Sequence, residues 1–240
     1  MKAILLCAGR GTRLDPLTRE RPKCLVSVGG RAILDHQIGA LHANGVHDVI
    51  VVAGYARHAI HDHLETLPAS RRPTIVHNPA WSTASSISSV WAARSFLGGP
   101  FCVMNGDTIF EPKLLGDVLS RADRGVNLAV EPALAEPDDM RVTIGPRGIE
   151  DVGKNLKWSQ ANMRSLGVII SPDGANSSYR DMLDQVMASP DGYLQYHHHI
   201  VDRLARSGTV NPIVVREGRW QEIDTPEDIL RWESRLAAAA

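Results

Sequence analysis

Gly9, Gly11, Arg13 and Lys23 are the first residues whose types and spacing suggest chemistry. They fall in LCAGRGTRLDPLTRERPKCL, residues 6–25, directly after an apolar run at 3–6. Gly9 and Gly11 let the backbone approach a ligand closely, and successive N–H groups in such a turn can form a nest for an anion. Arg13 and Lys23 add mobile positive charge suited to a polyphosphate. The spacing meets neither the dinucleotide fingerprint nor the P-loop. A solvated basic loop is the plain alternative. Two acids complete the set. Asp107 ends the buried-looking stretch FCVMNGD, and Asp224 lies in WQEIDTPED. A Mg²⁺ ion needs only one or two protein carboxylates, because water and phosphate oxygens fill its other positions. Singly, Asp107 reads as well as a turn residue, and Asp224 as part of a helix N-terminus. Glu222 shares a strand face with Asp224, so it is expected to support the metal ligands from behind.

The rest of the composition limits the partners. The chain has 240 residues, 43 % of them apolar, enough for a sizeable core. A formal net charge of −1 argues against a general binder of nucleic acid or anionic membranes. Positive charge is instead local, between Arg10 and Lys23, which suits a small anionic ligand. Cys7, Cys24 and Cys102 are odd in number and match no zinc spacing. Cys7 and Cys102 are expected as buried thiols and Cys24 on the loop, in a reducing cytoplasm. The apolar run before Gly9 is too short for a signal peptide or a membrane span.

Elements that could position these residues follow from periodicity. Buried strands are expected at 3–6, 48–55 and 101–107, with a short one at 74–77. Helices are expected at 32–43, 57–67, 85–96 and 112–120, and a further strand at 127–130. This alternation implies βαβ units on a mostly parallel sheet. After about residue 131 the rhythm changes. MRVTIGPRGIEDVG reads as a two-stranded ribbon turning at 145–148, followed by a strand, MRSLGVIIS. Helices at 173–188 and 191–207 and short strands at 210–216 and 220–223 come next. A closing helix at 225–235 has Thr225 as N-cap, Pro226 in first position and acids at 227 and 228. The tail at 237–240 is expected to fray.

The glycine segment resembles the signature of the sugar-nucleotidyltransferase superfamily, enzymes that join a nucleoside triphosphate to a phosphorylated small molecule and release pyrophosphate. Ala8, Gly9, Gly11, Thr12, Arg13, Leu14, Pro16, Leu17, Thr18, Pro22, Lys23 and Leu25 stand at matching positions. The resemblance implies a glycine loop that wraps the nucleotide, with Arg13 and Lys23 on its phosphates as the catalytic cations. Leu6, Ala8, Thr12 and Gly106 join the implied nucleotide site. The GD and EID segments match too, which makes Asp107 and Asp224 the implied Mg²⁺ ligands. HNPAWSTASSISSVWAAR and IEDVGKNL are similar to segments of the branch that transfers cytidylyl groups to phosphocholine, inositol phosphate or phosphonates. That likeness implies Asn78 and Ser85 on the nucleotide, and Ser86, Ser89 and Lys154 on the acceptor.

The chain departs from that branch in two places. Paired asparagines at the helix start are replaced by Ser85 and Ser86, and the aromatic-and-acid segment of choline-specific relatives reads YLQYHHHIV. Tyr193, Tyr196 and Trp158 offer aromatic faces for a quaternary ammonium, but local acids are missing. Three successive histidines, 197–199, point about a hundred degrees apart on a helix. They cannot all ligate one ion and read as a polar helix face, with His197 the one to reach the acceptor. Trp81, Trp91 and Trp220 are expected in the core.

The expected molecule is therefore an α/β protein, a Rossmann-like, mostly parallel sheet flanked by helices with a small β-ribbon and helical acceptor lobe. It is read as one domain over 1–240, with the nucleotide part at about 1–130 and the acceptor lobe at about 131–220. The expected function is Mg²⁺-dependent transfer from CTP to a small phosphorylated or phosphonate acceptor, without nucleic-acid or membrane partners. The alternatives are a sugar-1-phosphate nucleotidyltransferase using dTTP, UTP or GTP, and a non-catalytic nucleotide sensor.

Overall fold

The computed structural model describes residues 1–132, 138–173 and 178–238. Residues 174–177, where the helix expected from 173 would begin, and the end of the 237–240 tail lie outside the described residues. In chain order the strands are β1 (Lys2–Cys7), β2 (Ser27–Val28), β3 (Arg31–Ala32), β4 (Asp48–Ala53), β5 (Thr74–His77), β6 (Phe101–Asn105), β7 (Thr108–Phe110), β8 (Val126–Pro132), β9 (Arg141–Gly145), β10 (Gly148–Gly153), β11 (Met163–Ser171), β12 (Val210–Val214) and β13 (Trp220–Glu222). The helices are α1 (Ile33–Ala43), α2 (Arg57–Glu65), α3 (Ile87–Ala92), α4 (Pro112–Ser120), α5 (Ser178–Met187), α6 (His198–Ala205) and α7 (Pro226–Ala237).

β1 is the hub of the main sheet. It pairs in parallel with β4 on one side and β6 on the other, and β5 extends β4 in parallel. The chain therefore winds outward from β1 to β5 and then crosses back to β6. Ligands of open α/β sheets bind at the carboxyl ends of strands where the winding reverses, here between β1 and β6. Beyond β6 the direction changes. β11 runs antiparallel to β6, β8 and β9, and β9 and β10 form the expected ribbon. The parallel block is thus mainly the first half of the chain, and the second half extends it through antiparallel strands, apart from β12, which runs parallel to β8.

Strand alternation divides the core. Leu5, Val51 and Met104 pack with Leu41 of α1 and Leu115 of α4 on one face, while Ile4, Val52 and Val103 pack with Val90 of α3, Leu183 of α5 and Ile200 of α6 on the other. A third cluster has a positioning role. Leu14, Ile109, Ile223 and Trp232 meet in it and are all buried. Their neighbours in sequence are Arg13, the Asp107 turn and Asp224, so apolar packing fixes three separate chemical segments against one another.

Several expectations change in the structure. The helix expected at 85–96 is α3 followed by a 3₁₀ turn at Arg94–Gly98, and that at 191–207 is a 3₁₀ turn at Gly192–Leu194 followed by α6. Cys24, expected on the loop, is buried, and all three thiols are free. None of Trp81, Trp91 and Trp220 is fully buried. No helix among the described residues is long and apolar enough to cross a membrane.

Candidate active site

The glycine loop leaves β1 and is held by its own anchors. Gly11 takes a left-handed conformation, φ 75°, and a Cβ there would lie 2.7 Å from Lys23 Cβ. Glycine is needed for both the turn and the close seat of Lys23. Thr18, fully buried, donates its hydroxyl to the Gly11 carbonyl at 2.8 Å. The Asp107 turn is clamped from below. Buried Gln37 of α1 donates its amide to the Asn105 carbonyl at 2.6 Å and the Thr108 carbonyl at 2.9 Å. A Cβ on Gly106 would strike the Leu6 carbonyl, so glycine lets the ends of β1 and β6 meet.

Asp224 arrives from the far end of the chain. β13 pairs antiparallel with β7, setting Glu222 opposite Thr108, and Ile223 N–H donates to the Asp107 carbonyl at 2.9 Å. The cap of α7 completes the placement. Asp228 Oδ2 accepts from the N–H groups of Asp224 at 3.0 Å and Thr225 at 2.9 Å, a capping box that fixes the Asp224 backbone.

The charged groups then converge. Lys23 Nζ donates to Asp107 Oδ2 at 2.8 Å and also to Asp224 Oδ1. Arg13 donates to Asp224 Oδ2 at 2.6 Å and also to Asp138. Carboxylate oxygens of Asp107, Glu222 and Asp224 all lie within 4.8 Å of one another. Burial lowers the proton affinity of Lys23, but Asp107 and Asp224 outweigh it and hold the ammonium charged. Burial would raise Asp107, yet Lys23 holds its carboxyl below the usual range. Lys23 and Lys154 only partly relieve Glu222: burial, then the charges of Asp107 and Asp224, push it up to about 8. Glu222 is then largely protonated at neutral pH, and Lys23 and Arg13 balance Asp107 and Asp224. Hard oxygen donors gathered this closely fit a divalent cation such as Mg²⁺, and the Lys23 ammonium stands between two of them.

Every residue assigned from the sequence to nucleotide, acceptor or metal reaches this region. Leu6, Ala8, Gly9, Arg13, Asn78, Ser85, Ser86, Ser89, Gly106, Asp107, Lys154 and His197 line one cleft of about 320 Å³. Gly11, Thr12, Lys23 and Asp224 line an adjoining one that shares Gly9, Arg13 and Asp107 with it. Asn78 is committed within the protein: its amide donates to Ser88 Oγ at 2.9 Å and Ser89 Oγ at 3.0 Å. It shapes the wall, with Ser88 and Ser89 accepting from it. Asp138, Asp139, Ser165 and Trp81 also line the cleft and carried no recognisable signal in the sequence. The local acids missing near 193–199 are thus supplied by the loop before β9.

The histidine run differs from the expected polar face. His197 and His198 are buried, 4 % and 3 % exposed, at the N-terminal end of α6, which faces the cleft. Burial pushes His197 down to about 4 and His198 well below its ordinary range. An unfolded chain takes up these protons near pH 6.5 while the folded chain does not, so the contribution of these rings to stability falls as pH drops from about 6.5 towards 4. Glu222, raised to about 8, acts in the opposite direction over the same window, so the comparison is with His197→Gln: urea melts of the native protein are expected to lose about 2 kcal/mol more than those of the variant between pH 7 and pH 5. Identical pH profiles for the two proteins would contradict the buried, neutral state of His197.

Aromatic faces here are already occupied. Lys154 Nζ sits 5.0 Å from the Tyr196 ring centroid and the Arg141 guanidinium 3.9 Å from that of Trp158. Tyr193 lies outside the cleft, in a shallow groove with Trp91.

Comparison with known proteins converges on the same region. The family model for nucleotidyl transferase matches residues 2–130, the segment holding the glycine loop and Asp107. The CMP-5'-(3-aminopropyl)phosphonate synthase of Streptomyces rubellomurinus is 35 % identical over 95 % of this chain and 37 % of its own length. The UTP–glucose-1-phosphate uridylyltransferase AglF of Haloferax volcanii is 34 % identical over 50 % of this chain and 49 % of its own. The chain spans about a third to a half of the length of such curated relatives. The CTP:phosphocholine cytidylyltransferase LicC of Streptococcus pneumoniae shares the fold, with a TM-score of 0.77 at 22 % identity, covering 98 % of both chains. With the matched model spanning more than half of its residues, the chain belongs to the nucleotidyl transferase family.

Proposed function

We propose that this chain transfers a cytidylyl group from CTP to a small acceptor carrying a phosphate or phosphonate, with release of pyrophosphate and with Mg²⁺ as cofactor. The observation that carries this reading is the meeting of Lys23, Arg13, Asp107 and Asp224 at the junction of β1 and β6, beside the cleft lined by both halves of the chain. Gly9, Gly11 and their neighbours Leu6, Ala8 and Thr12 would wrap the nucleotide, with Asn78, Ser85 and Gly106 shaping the wall. Arg13 and Lys23 would grip its phosphates. Asp107 and Asp224 would hold the ion, which when bound neutralises charge on phosphate oxygens. Lys154, with Ser86, Ser89 and His197, would receive the acceptor. An oxygen of the acceptor's anionic group attacks the α-phosphorus as the bond to pyrophosphate breaks. That oxygen is already ionised at neutral pH, so alignment and charge neutralisation suffice and no general base is required.

CTP is favoured by the segment 77–94 and by the phosphonate synthase relative. A phosphonate or other non-choline acceptor is favoured by the Lys154 ammonium over the Tyr196 ring, which would oppose a quaternary ammonium at that face. The uridylyltransferase relative supports the second reading, a sugar-1-phosphate acceptor with another nucleotide. A non-catalytic sensor is disfavoured, because all four charged residues are present and in contact.

The test is pyrophosphate release over a grid of CTP, UTP, dTTP, GTP and ATP against alkylphosphonates, phosphocholine, inositol phosphate and glucose 1-phosphate. CTP with a non-choline acceptor is expected to turn over fastest. Faster turnover of UTP or dTTP with glucose 1-phosphate would install the second reading, and silence throughout would leave the sensor. Within the same assay Lys154→Ala is expected to raise the acceptor KM about tenfold or more, the worth of a charge-assisted contact, with CTP affinity by calorimetry unchanged. Lost CTP binding in that variant would place Lys154 on the nucleotide instead.

A further inference from the structure

His197 has a buried polar atom with nothing to bond to. Nε2 is sealed from solvent and has no hydrogen-bond partner among the described residues. The other ring nitrogen is engaged: Nδ1 lies 3.0 Å from Ser86 Oγ, and that same oxygen accepts the His197 backbone N–H at 3.1 Å. A serine hydroxyl that already accepts one bond has its own proton to give, and Nδ1 is within its reach. Nδ1 then accepts and the ring proton resides on Nε2. A buried N–H donor left unpaired is costly, so such a group in the wall of a ligand cleft marks a contact the ligand completes. The neighbouring ring differs. His198 Nε2 is satisfied by Ser165 Oγ at 2.9 Å, so the unfilled demand belongs to His197 alone of the pair.

We propose that His197 is the specificity-determining residue of the acceptor end: its Nε2–H donates to an uncharged oxygen of the acceptor, selecting a hydroxyl-bearing phosphonate or phosphate over its amino counterpart. An ammonium has no lone pair to accept this bond. Ser86 acts through His197 as a positioning residue, fixing the tautomer. The inference rests on the reading of this cleft as an acceptor site and adds which acceptor chemistry it prefers.

Two measurements decide it. The first is the imidazole ¹⁵N spectrum of histidine-labelled protein, with His197 assigned by His197→Gln. A neutral ring protonated on Nε2 is expected; a ring protonated on Nδ1 overturns the proposal whatever the substrate. The second is pyrophosphate release from CTP with 2-hydroxyethylphosphonate, 2-aminoethylphosphonate and ethylphosphonate. The hydroxyl compound is expected to be preferred by about tenfold in kcat/KM, mainly through KM. His197→Phe is expected to abolish that preference and His197→Gln, which keeps an N–H donor, to restore part of it. Turnover with an unchanged hydroxyl-to-amine ratio in His197→Phe, or an amine preference in the native protein, overturns this inference alone. Silence with every acceptor and nucleotide of the wider grid sinks the transfer reading, and this inference with it.

Discussion

Asp107→Asn and Asp224→Asn are each expected to lower turnover by about 10³-fold while leaving the fold unchanged. The size follows from removing one preorganised charge from a site whose task is charge neutralisation. The fold survives because the exchange keeps side-chain volume and the anchors lie elsewhere. Gln37 holds the backbone turn around Asp107, and the Asp228 cap holds that of Asp224. Either exchange leaves the buried Lys23 ammonium with one carboxylate fewer, so the melting temperature is expected to fall by a few degrees while unfolding stays cooperative. Rate against Mg²⁺ concentration is the check. Either variant keeping native activity at limiting Mg²⁺ would remove that residue from the proposed ligand set.

Lys23→Met is expected to act in opposite directions on the two ligands. The ammonium now lies between Asp107 and Asp224, where a divalent cation would be drawn by the same carboxylates. Removing it leaves those charges uncompensated, so Mn²⁺ binding to the nucleotide-free protein should tighten, by about tenfold for one such charge at close range. The nucleotide loses a phosphate contact, so CTP binding should weaken and turnover fall by roughly 10²-fold. Mn²⁺ titration by paramagnetic resonance without nucleotide separates the two effects. Unchanged or weaker Mn²⁺ binding would show that Lys23 does not compete for the cation's place.

The chemistry of this chain was more legible than its scaffold. Gly9, Gly11, Arg13 and Lys23 declare themselves because glycines and cations close together serve few structural ends. Asp107 and Asp224 are readable because strand ends and caps have local signatures, and the capping box at Thr225 is present as read. Three things were not legible. The antiparallel course of β11 is hidden, since a strand buried on both faces shows a continuous apolar run whatever its direction. Gln37 looks like an ordinary polar position of an amphipathic helix, and only tertiary structure shows it clamping the Asp107 turn. Asp138 and Asp139 sit in a connection without periodicity, so nothing local directs them to a cleft formed mainly by residues far away in sequence. The histidines were misread for a related reason. Local spacing does not say which side of a helix end other elements cover, and the solvated face it suggested is a buried pair.

The central claim is that an anionic oxygen of the acceptor attacks the α-phosphorus of the nucleotide directly. An acceptor labelled with ¹⁸O at every phosphonate oxygen, turned over with unlabelled CTP, tests it most simply by mass spectrometry of both products. The account expects all of the label in the cytidylyl product, one labelled oxygen bridging the two phosphorus atoms, and unlabelled pyrophosphate. Loss of a labelled oxygen from the acceptor phosphorus, or release of inorganic phosphate in place of pyrophosphate, would contradict it.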